Sequence, residues 1–593
     1  MKKRCVTSLL IVYVLCLSLS LSADTPKGAK DLCREYIEAW KEFYPSRAFA
    51  RGFLGAIFDF EDFSRVNIAN WLQTNADALE EIARIESEAV SEDRIDVRLL
   101  RMQIRSEIEK WEKEAPHKNV LSLYAGLISR AADSILASEL LMPGEKAHVL
   151  LDRLEGVEKL CAAAGHQLEN GSPKEVERSL QTLEKSSDFY EKKLPEMVKA
   201  GMSAENQEKF AEKCKQTAEQ IRGLVSHVRT QLVSRLTKKD TEILGRDEFA
   251  RRLRLYADSD LTPEQLEEMA FEEIHAVREL IAQVCSDYVR ETYPNQKVNE
   301  NLDKVVGIAL ADMEKNHPSS QREYLRFWED LAKRAEDFIR KKKIATLPEN
   351  QTLSIRLAPE SSGPMARIGW VSPAPPFHPN PWTTIYLPNI PDSHPTEERM
   401  DFWRSFNNHF TTFIIIHELF PGHYIQSKIN RENPHRVRIL FPYGLYSEGW
   451  ATLCEKVALD AGWDSHNKLT YLAHLRKRIE NANRAYTSVQ VHCNGWNREK
   501  VHAFSTDTSL LAPQFAKSLW GRLLSSPMQI TSYFLGTQQF TELYENEKKR
   551  LGDRFRNIDF MDTILRAGPI PLDEFPAIFQ NKFEVRNNIE DSK

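Results

Sequence analysis

From about Asp31 to Arg340 apolar residues return every three or four positions, with charged residues between them. In Tyr324, Leu325, Trp328, Leu331, Ala332, Ala335, Phe338 and Ile339 the steps run 1-3-3-1-3-3-1, the spacing of a helix with one buried face. Leu150, Leu154, Val157, Cys161 and Ala164 form a second such stripe. It makes Cys161 a small core residue, and Cys214, between Phe210 and Ile221 on another helical face, reads the same way. Thr262-Pro263-Glu264-Gln265 predicts a helix start, with Thr262 as N-cap, Pro263 at the first position and Gln265 closing a capping box.

The pattern changes between Leu347 and Pro395. β-formers gather in Ser354-Ile355-Arg356-Leu357, Ile368-Gly369-Trp370-Val371 and Thr383-Thr384-Ile385-Tyr386-Leu387, and prolines punctuate the gaps. These runs predict a small β element at about 350–390. A strand edge beside a catalytic helix can hold an extended peptide, which makes Tyr386 a candidate substrate contact; a long ordered loop without a binding role is the alternative. The expected fold is mainly α. We divide it into an N-terminal helical lobe, 24–300, and a catalytic helical lobe, 301–593, with the long N-terminal half walling the site.

Composition narrows the partners. With 80 Lys+Arg against 86 Asp+Glu the formal charge of the 593 residues is −6, which argues against nucleic acid. Apolar residues at 41% supply ample core, and 23 glycines, about half the usual share, disfavour turn-dense β folds. Residues 1–23 stand apart: Lys2, Lys3 and Arg4 precede an apolar run from Val6 to Leu21 and a small-residue exit at Ser22-Ala23. They read as a secretory signal peptide. Its removal leaves 77 Lys+Arg against 86 Asp+Glu, a mature charge of −9. The chain is therefore expected in the periplasm or outside the cell, without stable membrane insertion; an uncleaved anchor, or lipoprotein processing at Cys16, is the lesser alternative. The six cysteines left form no C-x-x-C pair, and a disulfide, though permitted by export, has no assignable partners.

Candidate chemistry follows the β element. The mostly apolar run Phe410 to Ile416 leads into His417-Glu418-Leu419-Phe420-Pro421-Gly422-His423, and Ser447-Glu448-Gly449-Trp450-Ala451 comes later. A His-Glu pair ending an apolar helix, a second His and a later Glu are the parts of a zinc hydrolase site. The metal lowers the pKa of water at a fourth position to about 7, and Glu418 can take its proton as general base. The histidines are six apart rather than four, however. On an ideal helix they would point about 120° apart, so one ion could not be chelated without a kink or bulge at Pro421-Gly422. A buried histidine and a helix break would give the same spacing.

His-Glu-x-x-Pro-Gly-His followed by Glu-Gly-Trp-Ala resembles the bacterial family called domain of unknown function 885, whose members resemble helical zinc peptidases of the gluzincin type. The likeness runs from about Gly245 to Leu572 and includes Leu261-Thr262-Pro263-Glu264, Gly495-Trp496, Pro527-Met528-Gln529-Ile530-Thr531-Ser532-Tyr533 and Gly568-Pro569-Ile570-Pro571-Leu572. The resemblance implies one zinc ion on His417, His423 and Glu448, with Glu418 as base. The chain departs from the family pattern at Tyr424, Ser488 and Met561, which touches the groups around the ligands rather than the ligands themselves. Tyr533 and His492 are candidate donors to an oxyanion, Arg522 a candidate contact for a substrate carboxylate, and Glu455, seven residues after Glu448, a group that could orient a ligand. His502 and the cluster Arg431, Arg436, Arg438 are read as solvated or paired surface groups.

The expected function is that of an exported zinc-dependent peptidase acting on short peptides. An amidase acting on a non-peptide or cell-wall-derived amide shares the same site, and an inactive binding or scaffold protein shares the fold.

Overall fold

The computed structural model describes residues 28–85, 91–138, 141–233, 236, 242–295 and 302–581. The proposed signal peptide, 1–23, lies outside the described residues. The 1-3-3-1 pattern becomes the helix Gln321–Lys342, in which Tyr324, Trp328, Leu331, Ala332, Ala335 and Ile339 are buried. Leu325 and Phe338 pack at its margin. The second stripe lies on the helix Pro143–Gln167, and Cys161 and Cys214 are both buried in the core, where the loss of hydration pushes their thiols up to about 12. All six cysteines among the described residues are free thiols.

The helix Pro263–Thr292 starts where the sequence places it. The Thr262 hydroxyl accepts from the Gln265 amide at 3.2 Å, and the Gln265 side chain accepts from the Thr262 amide at 2.9 Å. This helix packs along Lys468–Asn494, which is buried on almost every face. No single helix among the described residues is long and apolar enough to cross a membrane.

Three strands interrupt the helices: β1, Leu353–Leu357; β2, Trp370–Ser372; and β3, Thr383–Leu387. The order is β1-β3-β2, with β1 parallel and β2 antiparallel to β3. The second strand begins at Trp370 rather than at the expected Ile368. Gly369 sits at φ +71°, and a Cβ there would lie 2.6 Å from the Tyr386 carbonyl oxygen, so the backbone turns before pairing can start. Trp370 and Tyr386 are direct partners, and their rings stack at 4.6 Å.

The N-terminal helices brace this assembly from outside. Asp96 bonds to both His435 and Arg438 at 2.6 Å. Arg98 donates to Asp258 at 2.9 Å, to Asp573 at 3.0 Å and to Glu574 at 2.7 Å. Arg431 donates to the carbonyls of Pro375 and His378, and Arg436 lies over the Phe377 ring at 5.6 Å. Arg431 and Arg438 are thus paired, and Arg438 is buried rather than on the surface, while Arg436 is exposed as expected. His502 is exposed.

Candidate metal centre and its cavity

The apolar helix Asn408–Glu418 is buried along most of its length and delivers His417 into the core. It stops at Glu418, and a new helix, His423–Asn430, begins at the second histidine. The break expected at Pro421-Gly422 is present. Across it the Gly422 amide donates to the Ile416 carbonyl at 3.1 Å, which folds the chain back so that both rings face one point. A Cβ on Gly422 would lie 1.8 Å from the His417 carbonyl oxygen, so only glycine allows this approach.

Glu448 enters from the helix Tyr446–Asp460. One of its oxygens lies 3.5 Å from Nε2 of both His417 and His423, and one ligand atom from each of the three residues falls within 4.8 Å of the others. That oxygen is buried without a hydrogen-bond partner. Glu455 accepts from Nδ1 of His417 at 2.7 Å and contacts Nδ1 of His474 at 3.1 Å, which places it behind the first proposed ligand. With Nδ1 turned to Glu455, it is Nε2 of His417 that faces Glu448 and His423. Two imidazole nitrogens, one carboxylate oxygen without a donor, and a carboxylate behind the first imidazole fit a tetrahedral zinc ion with one open position.

The charges agree with that fit. Burial disfavours a charged imidazole at His417, but Glu448, Glu455 and Glu418 outweigh it and hold the ring up to about 10. Against its own burial, Glu448 is held well below the usual carboxylate range by the two histidines, and Glu455 is held down to about 2 by His417 and His474. Negative charge is concentrated where a dication would sit.

The Glu-Gly-Trp-Ala and Pro-Gly segments hold each other. The indole of Trp450 donates to the Pro421 carbonyl at 3.1 Å, inside the core. Trp450→Phe replaces the buried indole by a smaller ring and removes that donor; it is expected to cost at least about 1–3 kcal/mol, read as a lower thermal midpoint. An unchanged midpoint would mean that Pro421 finds another donor. Gly449 and Gly536 bring two helix backbones into contact, since a Cβ on Gly449 would lie 2.5 Å from the Gly536 carbonyl carbon. This contact places the helix Pro527–Leu551, which carries Tyr533, beside Glu448.

The centre opens into a cavity of about 680 Å³. Glu418, Tyr386, Arg522 and Tyr533 line it together with the three converging residues. The oxygen of Tyr533 receives a hydrogen bond from Arg522 at 3.3 Å and a longer contact from the Gln529 amide at 3.5 Å. Burial and the nearby Glu448 push its hydroxyl pKa up, so the proton stays on.

His492 is not in this cavity, which corrects the expectation for it. Its Nδ1 accepts from the Leu244 amide at 3.2 Å, its Nε2 donates to the Leu523 carbonyl at 3.0 Å, and its ring stacks on Phe249. Both nitrogens are spent on backbone groups, so it is a joint between helices. The N-terminal half does not wall the site either: the lining residues run from Tyr324 to Tyr533. Of the departures from the family pattern, Met561 is core, Ser488 is buried against the Pro527 carbonyl, and Tyr424 bonds to Gln351 and Thr352 beside β1.

Sequence reading missed Lys477, Glu480 and Arg484, which also line the cavity from the helix Lys468–Asn494. Their i, i+3, i+7 spacing on one face was the available signal, and it looks the same as a solvated charge run.

No curated protein matches the sequence. Two solved bacterial structures share the fold, each described as a "putative lipoprotein". The one from Shewanella oneidensis is 19% identical with a TM-score of 0.81, covering 93% of this chain and all of its own. The one from Colwellia psychrerythraea is 16% identical with a TM-score of 0.69, covering 92% and 98%. The family model described as "Bacterial protein of unknown function (DUF885)" matches residues 45–577, nearly the whole chain with both proposed ligand segments inside it, and the chain belongs to that family.

Proposed function

We propose that this chain is a zinc-dependent hydrolase of peptide bonds, related in its chemistry to gluzincin-type peptidases. The observation that carries the reading is the convergence of His417, His423 and Glu448 within 4.8 Å at the floor of a cavity large enough for a short peptide. Zinc, when bound, supplies Lewis-acid activation of water and of the scissile carbonyl. Glu418 follows the first ligand directly, lines the cavity and is not one of the three converging groups, so its carboxylate is available to take a proton from the attacking water. Tyr533 stabilises the developing oxyanion. Arg522 and Gln529 both donate to its oxygen, which leaves the hydroxyl proton free to point at the substrate. Trp370 and Tyr386 offer a stacked aromatic surface at the sheet side of the same cavity.

The chain acts outside the cytoplasm in this reading. The leader-like residues 1–23 and the description of both structural neighbours as lipoproteins support export, free or lipid-anchored. The direct test combines metal analysis of chelator-free protein with mass spectrometry of a mixed peptide library. One zinc per chain and cleaved short peptides are expected. A protein that neither contains nor takes up zinc would sink the proposal.

A further inference from the structure

The wall around Tyr533 carries more positive charge than the fold uses. Lys477 and Arg484 are buried and share one carboxylate, Glu480: Lys477 lies 3.5 Å from its Oε1, and Arg484 donates to the same oxygen. Arg522, half-buried on the adjacent helix Pro513–Ser525, has no carboxylate partner among the described residues. Its hydrogen bonds go to the neutral Tyr533 and Gln529. All three cations surround the Tyr533 ring, with Arg484 at 4.3 Å, Arg522 at 5.5 Å and Lys477 at 5.7 Å from its centroid.

Three basic side chains here share one ion-paired acid, Glu480, which leaves positive charge in excess of paired acid on this wall of a partly desolvated cavity. Burying unpaired charge costs several kcal/mol, so such a surplus persists where an anion completes it. The acids of the candidate metal centre have nearer partners of their own, Glu448 lying between His417 and His423 and Glu455 between His417 and His474, although the Glu448 charge also reaches Arg522. Arg522 presents a planar fork suited to a carboxylate, and Arg484 and Lys477 lie behind the same ring.

We propose that Arg522, Arg484 and Lys477 form a subsite for a carboxylate carried by the substrate close to the bond presented to His417, His423 and Glu448. The inference rests on the peptidase reading and sharpens it: the favoured substrate is an anionic peptide. The carboxylate is either the chain terminus or an acidic side chain. Tyr533 links the two regions, because its hydroxyl takes the Arg522 hydrogen bond and its helix touches the Glu448 helix at Gly449 and Gly536.

Binding without turnover tests this on the full-length Glu418→Gln protein as purified. Calorimetry would compare acetyl-Ala-Phe-Ala-Ala with a free carboxylate, its C-terminal amide, and the amide in which the last residue is Asp. An anionic peptide is expected to bind at least about 10-fold tighter than the plain amide, the scale of one hydrogen bond to a charged group. The tighter of the two anionic peptides identifies the source of the carboxylate. Adding Arg522→Gln should bring acid and amide within about 2-fold of each other. Arg522→Lys should restore part of the preference because the charge returns. Arg484→Gln is a second reading of the same ratio, with thermal melting as the check on folding. Equal affinities for acid and amide, no detectable binding of either at millimolar concentration, or a preference that survives both Gln substitutions would overturn the subsite. Acid-selective binding by a protein that cleaves no peptide would leave the subsite standing and sink the peptidase reading. Cleavage without acid preference would do the reverse.

Discussion

On the proposed function, Glu418→Gln is expected to bind zinc and to lack turnover. The side chain that replaces the carboxylate is nearly the same shape, and the three groups that converge on the metal position are untouched. What disappears is the carboxylate proposed to take the proton of the attacking water. General bases of this kind contribute about 10²–10⁴-fold, so kcat should fall by at least about two orders of magnitude, while metal content and peptide affinity stay close to the parent. Metal analysis and kcat measured on one sample check both halves. A kcat within tenfold of the parent would remove Glu418 from the role of base and leave the ligand set intact.

Gly422→Ala is expected to be the most damaging glycine-to-alanine substitution among the described residues. Its added carbon would sit 1.8 Å from the His417 carbonyl oxygen, 2.4 Å from the His417 carbonyl carbon and 2.5 Å from the Ile416 carbonyl oxygen. All three are backbone atoms of the buried helix that carries the first proposed ligand, so no side chain can swing away. Overpacking of a core commonly costs about 1–3 kcal/mol, and a clash with fixed backbone belongs at or beyond the upper end. The variant should melt well below the parent and lose zinc affinity together with stability, since His417 and His423 lie on either side of the break. A variant that melts like the parent and retains full metal would show that the two helices can part here without cost.

The Gly422 case shows why some features were legible. A six-residue histidine spacing cannot chelate on a straight helix, so a shared ion would need a break, and Pro421-Gly422 was the pair placed to supply it. The long helices and the three strands were legible for a similar reason, because their apolar periods differ. Glu455 was found from its spacing to Glu448, and it does reach His417. His492 failed because a histidine in a helix carries no sign of whether its nitrogens will meet a cavity or a backbone carbonyl. Lys477, Glu480 and Arg484 failed for the opposite reason. Charges at helical spacing normally face water, and nothing local records that the helix Lys468–Asn494 is enclosed by neighbours distant in sequence. That the N-terminal half braces the site from behind was hidden too, because it depends on pairs such as Asp96 with Arg438, separated by 342 residues.

The Arg98 clamp bears on when the fold can close. Two of its three carboxylates, Asp573 and Glu574, are 475 and 476 residues further along the chain. During synthesis from the N-terminus this arginine therefore waits until almost the last segment has emerged. The clamp can therefore close only on a nearly complete chain, and the N-terminal helices receive this tether last.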